Sequence, residues 1–232
     1  MNDEIVKQLK MTYDELCKYL QGKYGLPVCD YFTNEKCVTK PKRITRTSDG
    51  LLIHHIAERI NGTGPLSNPY FAKRCPFEYQ RKENLTFCNY IEHLILHLKI
   101  NAERYLSSEF TNLAFANFFR TSGLLIITLD INLLFKSNGS TVEWKNNCYL
   151  VIKPLISDYV SILKGTLCFL ENYYPGDKEK NKDRISTEKE SCIKDMCSNY
   201  DGSVWDELLD KLTKPFTEEE KQIACWIKES VS

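Results

Sequence analysis

Asp49-Gly-Leu-Leu-Ile-His-His-Ile-Ala-Glu58 and Glu83-Asn-Leu-Thr-Phe-Cys-Asn-Tyr-Ile-Glu-His-Leu-Ile-Leu-His97 hold all four histidines of the 232-residue chain. Imidazole is the commonest nitrogen ligand for transition metals and the usual base near neutral pH. His93 and His97 stand four apart in a segment where Ile91, Leu94 and Leu98 mark a helix. Both rings therefore leave one face and can share one ion. This helix is expected to begin at Asn84, as cap or first-turn residue, and to run to about residue 100. His54 and His55 are adjacent in residues 51–56, which read as a strand. Neighbouring strand side chains point to opposite sides, so one of the pair can bind the ion while the other stays free to take a proton. Asp49-Gly50 is a turn signal, and residues 44–47 read as a short preceding strand, so a hairpin is expected over 44–56.

Outward from these segments the chain is mostly helical. Ile5, Leu9, Tyr13, Leu16 and Leu20 predict one helix over 3–24, closed by Gly22, Gly25 and Pro27. Residues 57–76 read as loop. Residues 109–136 and 148–174 are apolar and helical, the latter with a kink at Pro154, and their Phe and Tyr side chains read as core. Residues 176–191 are almost wholly polar or charged and read as a linker or exposed loop. Residues 204–231 read as two short helices, the second opened by the Thr217/Glu220 capping box.

The pair of segments resembles the HNH, or ββα-metal (His-Me finger), endonucleases in their colicin-type form. That pattern is a His-His pair at a strand end, an Asn before a helix and histidines on the helix: here His54-His55, Asn84-Leu85, His93 and His97. The resemblance covers residues 44–100. It implies a mainly α chain with a small embedded ββα-metal module. It also implies His54, His93 and His97 as ligands of one divalent ion (Mg²⁺, Mn²⁺, Ni²⁺ or Zn²⁺), His55 as general base, and Asn84 as the residue that orients its ring. The implied activity is hydrolysis of phosphodiester bonds in nucleic acid, DNA before RNA, by in-line attack of water. One alternative is a module that keeps a structural zinc and binds nucleic acid or a partner without cleavage; another is an RNA-cleaving toxin or defence effector. The chain departs from the pattern in lacking the usual Pro after the His pair, where Glu58 stands nearby, in having no Cys-x-x-Cys on the helix, and in its longer inter-segment loop.

With 31 cations and 31 acids the chain is neutral, so an argument for nucleic acid must be local. Residues 36–46 carry five cations and no acid, and lead into the histidine pair. Lys40, Lys42, Arg43, Arg46, Lys73 and Arg74 are the expected phosphate contacts, against the plainer reading of a solvated loop. The ten cysteines, with no visible leader and no Cys-x-x-Cys, read as reduced thiols of a cytoplasmic protein. Cys29, Cys37, Cys75 and Cys88 are weighed as a second, structural zinc site. Asn61, Asn84 and Asn138 open glycosylation patterns that carry no meaning in a cytosolic chain. The most apolar run, residues 123–135, is too short to span a bilayer and contains Asp130. The expected divisions are an N-terminal helix with basic loop (1–43), the metal module (44–100), a helical domain packed on it (101–174), a charged linker (175–191) and C-terminal helices (192–232).

Overall fold

The N-terminal apolar periodicity forms two helices rather than one, α1 (Asp3–Lys10) and α2 (Tyr13–Tyr24). Thr12 Oγ1 accepts from the Glu15 N–H at 3.3 Å, and Glu15 Oε2 accepts from the Thr12 N–H at 2.9 Å, so a capping box restarts the helix. The carbonyls of Leu9 and Met11 are satisfied by the buried Lys99 Nζ. Apolar spacing runs through the break because both helices bury one face, with Ile5, Leu9, Leu16 and Leu20 inside. A computed structural model describes residues 1–60, 64–107, 115–121, 123–174, 176–198 and 201–231. The Asn61-Gly-Thr pattern and the first residues of the 109–136 segment lie outside the described residues.

The expected hairpin over 44–56 is not formed. Lys42–Ile44 and Thr47–Asp49 are 3-10 turns, and only an isolated Arg46–Leu51 bridge joins the two sides. The partner of β1 (Leu52–His55) is β2 (Leu85–Cys88), paired antiparallel with His54 opposite Thr86 and His55 opposite Leu85. The Asp49-Gly50 turn is real, with Gly50 left-handed at φ 72°. A Cβ there would lie 2.5 Å from Val151 Cγ2 and 2.8 Å from the Asn147 carbonyl, so the turn serves as a seat for a later helix. The same strand corrects the helix start. Residues 85–88 are all buried against β1, and the helix begins after Asn89, whose Oδ1 accepts from the Ile91 and Glu92 N–H groups.

That helix, α4 (Tyr90–Leu106), is the spine of the fold. Its first turn is held by Glu92, which is buried and ion-paired to Lys23 at 2.8 Å. Glu92 also accepts hydrogen bonds from Gln8 and Tyr24, so α1 and α2 grip the turn that carries His93. The 56–84 connection contains 3-10 turns at Ile56–Arg59 and Phe77–Gln80 and the short α3 (Pro69–Ala72).

The helices of the second half are α5 (Phe115–Arg120), α6 (Leu124–Lys136), α7 (Glu143–Ile152), α8 (Ile156–Asn172), α9 (Lys182–Cys197), α10 (Asp206–Thr213) and α11 (Glu218–Glu229). Pro154 sits in a 3-10 turn that separates α7 from α8, as its missing N–H requires. The charged linker is corrected from residue 182 onward. α9 turns Ile185, Cys192, Ile193, Met196 and Cys197 inward and leaves its charges outside, a narrow apolar stripe in a polar composition. The Thr217/Glu220 box opens α11 as expected.

One apolar cluster runs from Ile5 to Ile227, and a smaller one (Tyr31, Phe32, Cys37, Ile44, Ala72 and Leu85) underlies the basic loop. Among the described residues no helix is long and apolar enough to cross a membrane. α8 packs tightly on α11, where a Cβ on Gly165 would lie 2.4 Å from Ile223 Cγ2. Gly165→Ala is therefore expected to lower stability by about 1–3 kcal/mol, read as a fall in urea midpoint. An unchanged midpoint would mean that this crossing has room to spare.

Candidate metal centre

β1 pairs with β2, β2 leads into α4, and the histidines of β1 and α4 meet. His54 from β1 and His93 and His97 from α4 bring ligand nitrogens within 4.8 Å of one another. His93 Nε2 and His97 Nε2 are 3.1 Å apart. Donors sharing one ion at roughly 2.0–2.1 Å stand about 2.8–4.2 Å from one another, so the cluster is close to a coordination sphere. Strand alternation sends His55 the other way, against the Tyr31 ring at 4.4 Å between centroids, and it is not part of the cluster.

Neighbouring groups fix the tautomer of each β1 ring. The Tyr13 hydroxyl donates to the Ile56 carbonyl at 2.9 Å, so its oxygen accepts from His54 Nε2–H at 2.8 Å. That leaves the His54 Nδ1 lone pair for a metal, and Nδ1 is buried with no hydrogen-bond partner, as is His93 Nδ1. Gln80 does the same for His55. Its Nε2 donates to the Leu66 carbonyl at 3.3 Å, which turns Oε1 toward His55 Nε2 at 3.1 Å. His55 Nε2 thus carries the proton, and Nδ1 is the free base.

Burial holds His54 and His93 well below the usual imidazole range, helped by the neighbouring histidines. Burial takes His55 down to about 3, with Gln80 opposing and Lys40 adding to the shift. These rings are neutral at pH 7, the form that binds metal. Glu58, on the turn directly after β1, is pushed up to about 7 by burial, against the Leu66 N–H and the Arg104 charge. Buried neutral imidazoles with orphaned nitrogens, beside one carboxylate, fit a divalent transition ion.

The cluster opens on a cleft of about 790 Å³ whose wall includes His55, Glu58, His93 and His97. Arg104 and Arg120 are its cations, and Tyr31, Tyr90, Ile126 and Trp144 contribute apolar surface.

The side chain that meets His55 Nε2 is Gln80 rather than Asn84. Asn84 ends the 3-10 turn before β2, and its Nδ2 donates to the Glu78 carbonyl at 2.9 Å. None of Lys40, Lys42, Arg43, Arg46, Lys73 or Arg74 lines the cleft. Arg46 is held by Asp49 and the Tyr24 carbonyl, Lys40 by the Tyr31 hydroxyl, and Arg74 lies on the Tyr70 ring. Lys42, Arg43 and Lys73 are exposed. Among the described residues the weighed cysteines form no metal-binding group: Cys88 packs in the main core, Cys37 and Cys29 at the smaller cluster, and none of the ten cysteines is in a disulfide. Sequence reasoning missed Gln80 and Tyr13, for which no spacing signal exists. It registered Glu58 only as a departure from a pattern, although Glu58 stands four residues after His54.

Tyr13→Phe leaves the buried His54 N–H without an acceptor. It is expected to weaken metal binding about 10–100-fold and to lower apo stability by about 1–3 kcal/mol. Calorimetric titration with unchanged affinity would remove Tyr13 from the site. No protein-family model matches the chain, and no curated protein or solved structure matches it.

Proposed function

We propose that the chain is a divalent-metal-dependent phosphodiesterase of the ββα-metal type, acting on nucleic acid, with DNA as the first substrate to test. The observation that carries this reading is the division of labour within one His-His pair. His54 turns to His93 and His97, while His55 is held apart by Gln80 with Nδ1 free, and His55, His93 and His97 line the same cleft. A bound metal would supply charge stabilisation for the transferring phosphoryl group and the leaving 3′-oxygen. His54, His93 and His97 would hold it. His55 Nδ1 would take the proton of the attacking water, its basicity raised when an anionic diester enters the low-dielectric cleft. Gln80 fixes the tautomer that leaves the lone pair on Nδ1, and burial keeps the ring neutral at the start of the reaction. Arg104 and Arg120 line the same wall and would meet phosphate oxygens, Arg120 by exchanging its ion pair with Asp195.

A second reading, a metal-binding module that does not cleave, is favoured by one observation: the six cations expected to grip nucleic acid lie outside the cleft. The two readings part in one assay. Supercoiled plasmid, single-stranded DNA and RNA are incubated with the protein and Mg²⁺, Mn²⁺, Ni²⁺ or Zn²⁺. Metal-dependent cleavage to 5′-phosphate and 3′-hydroxyl ends supports the enzyme. A protein that holds metal and cuts none of these substrates with any ion is the binding module.

A further inference from the structure

We propose that Glu58 is a fourth protein ligand of the metal, binding through Oε2 and making the site one of three imidazole nitrogens and one carboxylate oxygen. This rests on the metal reading of the histidine cluster. Glu58 Oε2 lies 3.5 Å from His97 Nε2 and 4.0 Å from His54 Nδ1. Those two separations are close to those of donors that share an ion at about 2.0–2.2 Å each; Glu58 stands outside the group already within 4.8 Å and would turn its side chain inward to complete it. The two oxygens have different roles. Oε1 accepts the Leu66 N–H at 3.1 Å and lies 4.0 Å from His55 Nδ1, whereas Oε2 has no hydrogen bond among the described residues and lies nearest His97 and His54.

The local fold explains the aim. The Ile56–Arg59 turn coils the chain directly after β1 and brings residue 58 back beside residue 54. The Leu66 N–H then fixes the carboxylate plane from the far side of the loop. A carboxylate so placed, with its side chain only 13% exposed and Oε2 turned to the rings, is stabilised by a cation between it and them. Four protein donors fill a tetrahedral ion, whereas a six-coordinate ion such as Mn²⁺ or Ni²⁺ keeps two positions for substrate and water.

Cobalt(II) titration of the full chain, followed by visible absorption, tests this with Glu58→Gln beside wild type and His93→Ala. Gln keeps an acceptor for the Leu66 N–H but loses the anionic oxygen. Wild type is expected to take up one equivalent. Glu58→Gln is expected to bind at least about 100-fold more weakly, beyond what outer-shell changes typically produce, with altered d–d bands. Wild-type affinity and bands in folded Glu58→Gln would overturn the assignment while leaving the histidine site standing. No cobalt uptake by wild type would overturn both. If Glu58→Gln does not fold, the metal-minus-apo infrared difference of wild type decides. A shifted carboxylate stretch supports ligation, and an unchanged carboxylate region overturns it.

Discussion

His93→Ala/His97→Ala protein is expected to purify without stoichiometric metal and to cut none of the substrates that wild type cuts. Both rings leave one face of α4, and their Nε2 atoms are 3.1 Å apart. Removing them leaves His54 and Glu58, too few donors for a transition ion at ordinary concentration. A complete protein site is worth on the order of 10–16 kcal/mol, so losing half the donors weakens binding by roughly 10³-fold or more. Thermal unfolding supplies a readout independent of cleavage. Wild type gains about 4 kcal/mol when metal is present at 1,000 times its dissociation constant, and the double variant gains nothing. A variant that keeps its metal, or a wild type whose melting ignores every divalent ion tested, would remove the centre from these histidines.

His55→Ala should give the opposite dissociation: metal retained, cleavage reduced by about 10²–10⁴-fold, the usual contribution of a positioned base. The ring belongs to β1 but not to the cluster, so its loss leaves the ligand set intact. Gln80 and Asn84 sharpen the test. Gln80 Oε1 meets the His55 ring, whereas Asn84 bonds the Glu78 carbonyl. Gln80→Ala is therefore expected to lower cleavage by about 10–100-fold with a changed pH profile, and Asn84→Ala to leave it within a few fold. The reverse order would restore the role the resemblance gives to Asn84. Metal lost from His55→Ala would mean that the pair is not divided in this way.

The histidine cluster was legible because its determinants are local. A four-residue spacing on a helix and alternation on a strand settle which way neighbouring side chains point, whatever surrounds them. The helical character of the second half, the break at Pro154 and the Thr217 cap were legible for the same reason. What failed depended on partners distant in sequence. β1 pairs with β2 rather than with residues 44–47, because α7 occupies the Gly50 turn and residues 85–88 are buried against β1. The single N-terminal helix became two once Lys99 took the carbonyls at the break. Residues 176–191 look like a linker by composition, yet from residue 182 five inward side chains suffice for a helix when a core is there to receive them. At the site itself, sequence alone determined that three imidazoles can share an ion. Only the tertiary structure decided that Tyr13 and Gln80 choose the tautomers, that Glu58 faces the rings, and that the cleft draws its cations from Arg104 and Arg120 rather than from the basic loop. A hydrogen bond across dozens of residues leaves no periodicity to read, because nothing in the spacing of two residues records where the fold will bring them together.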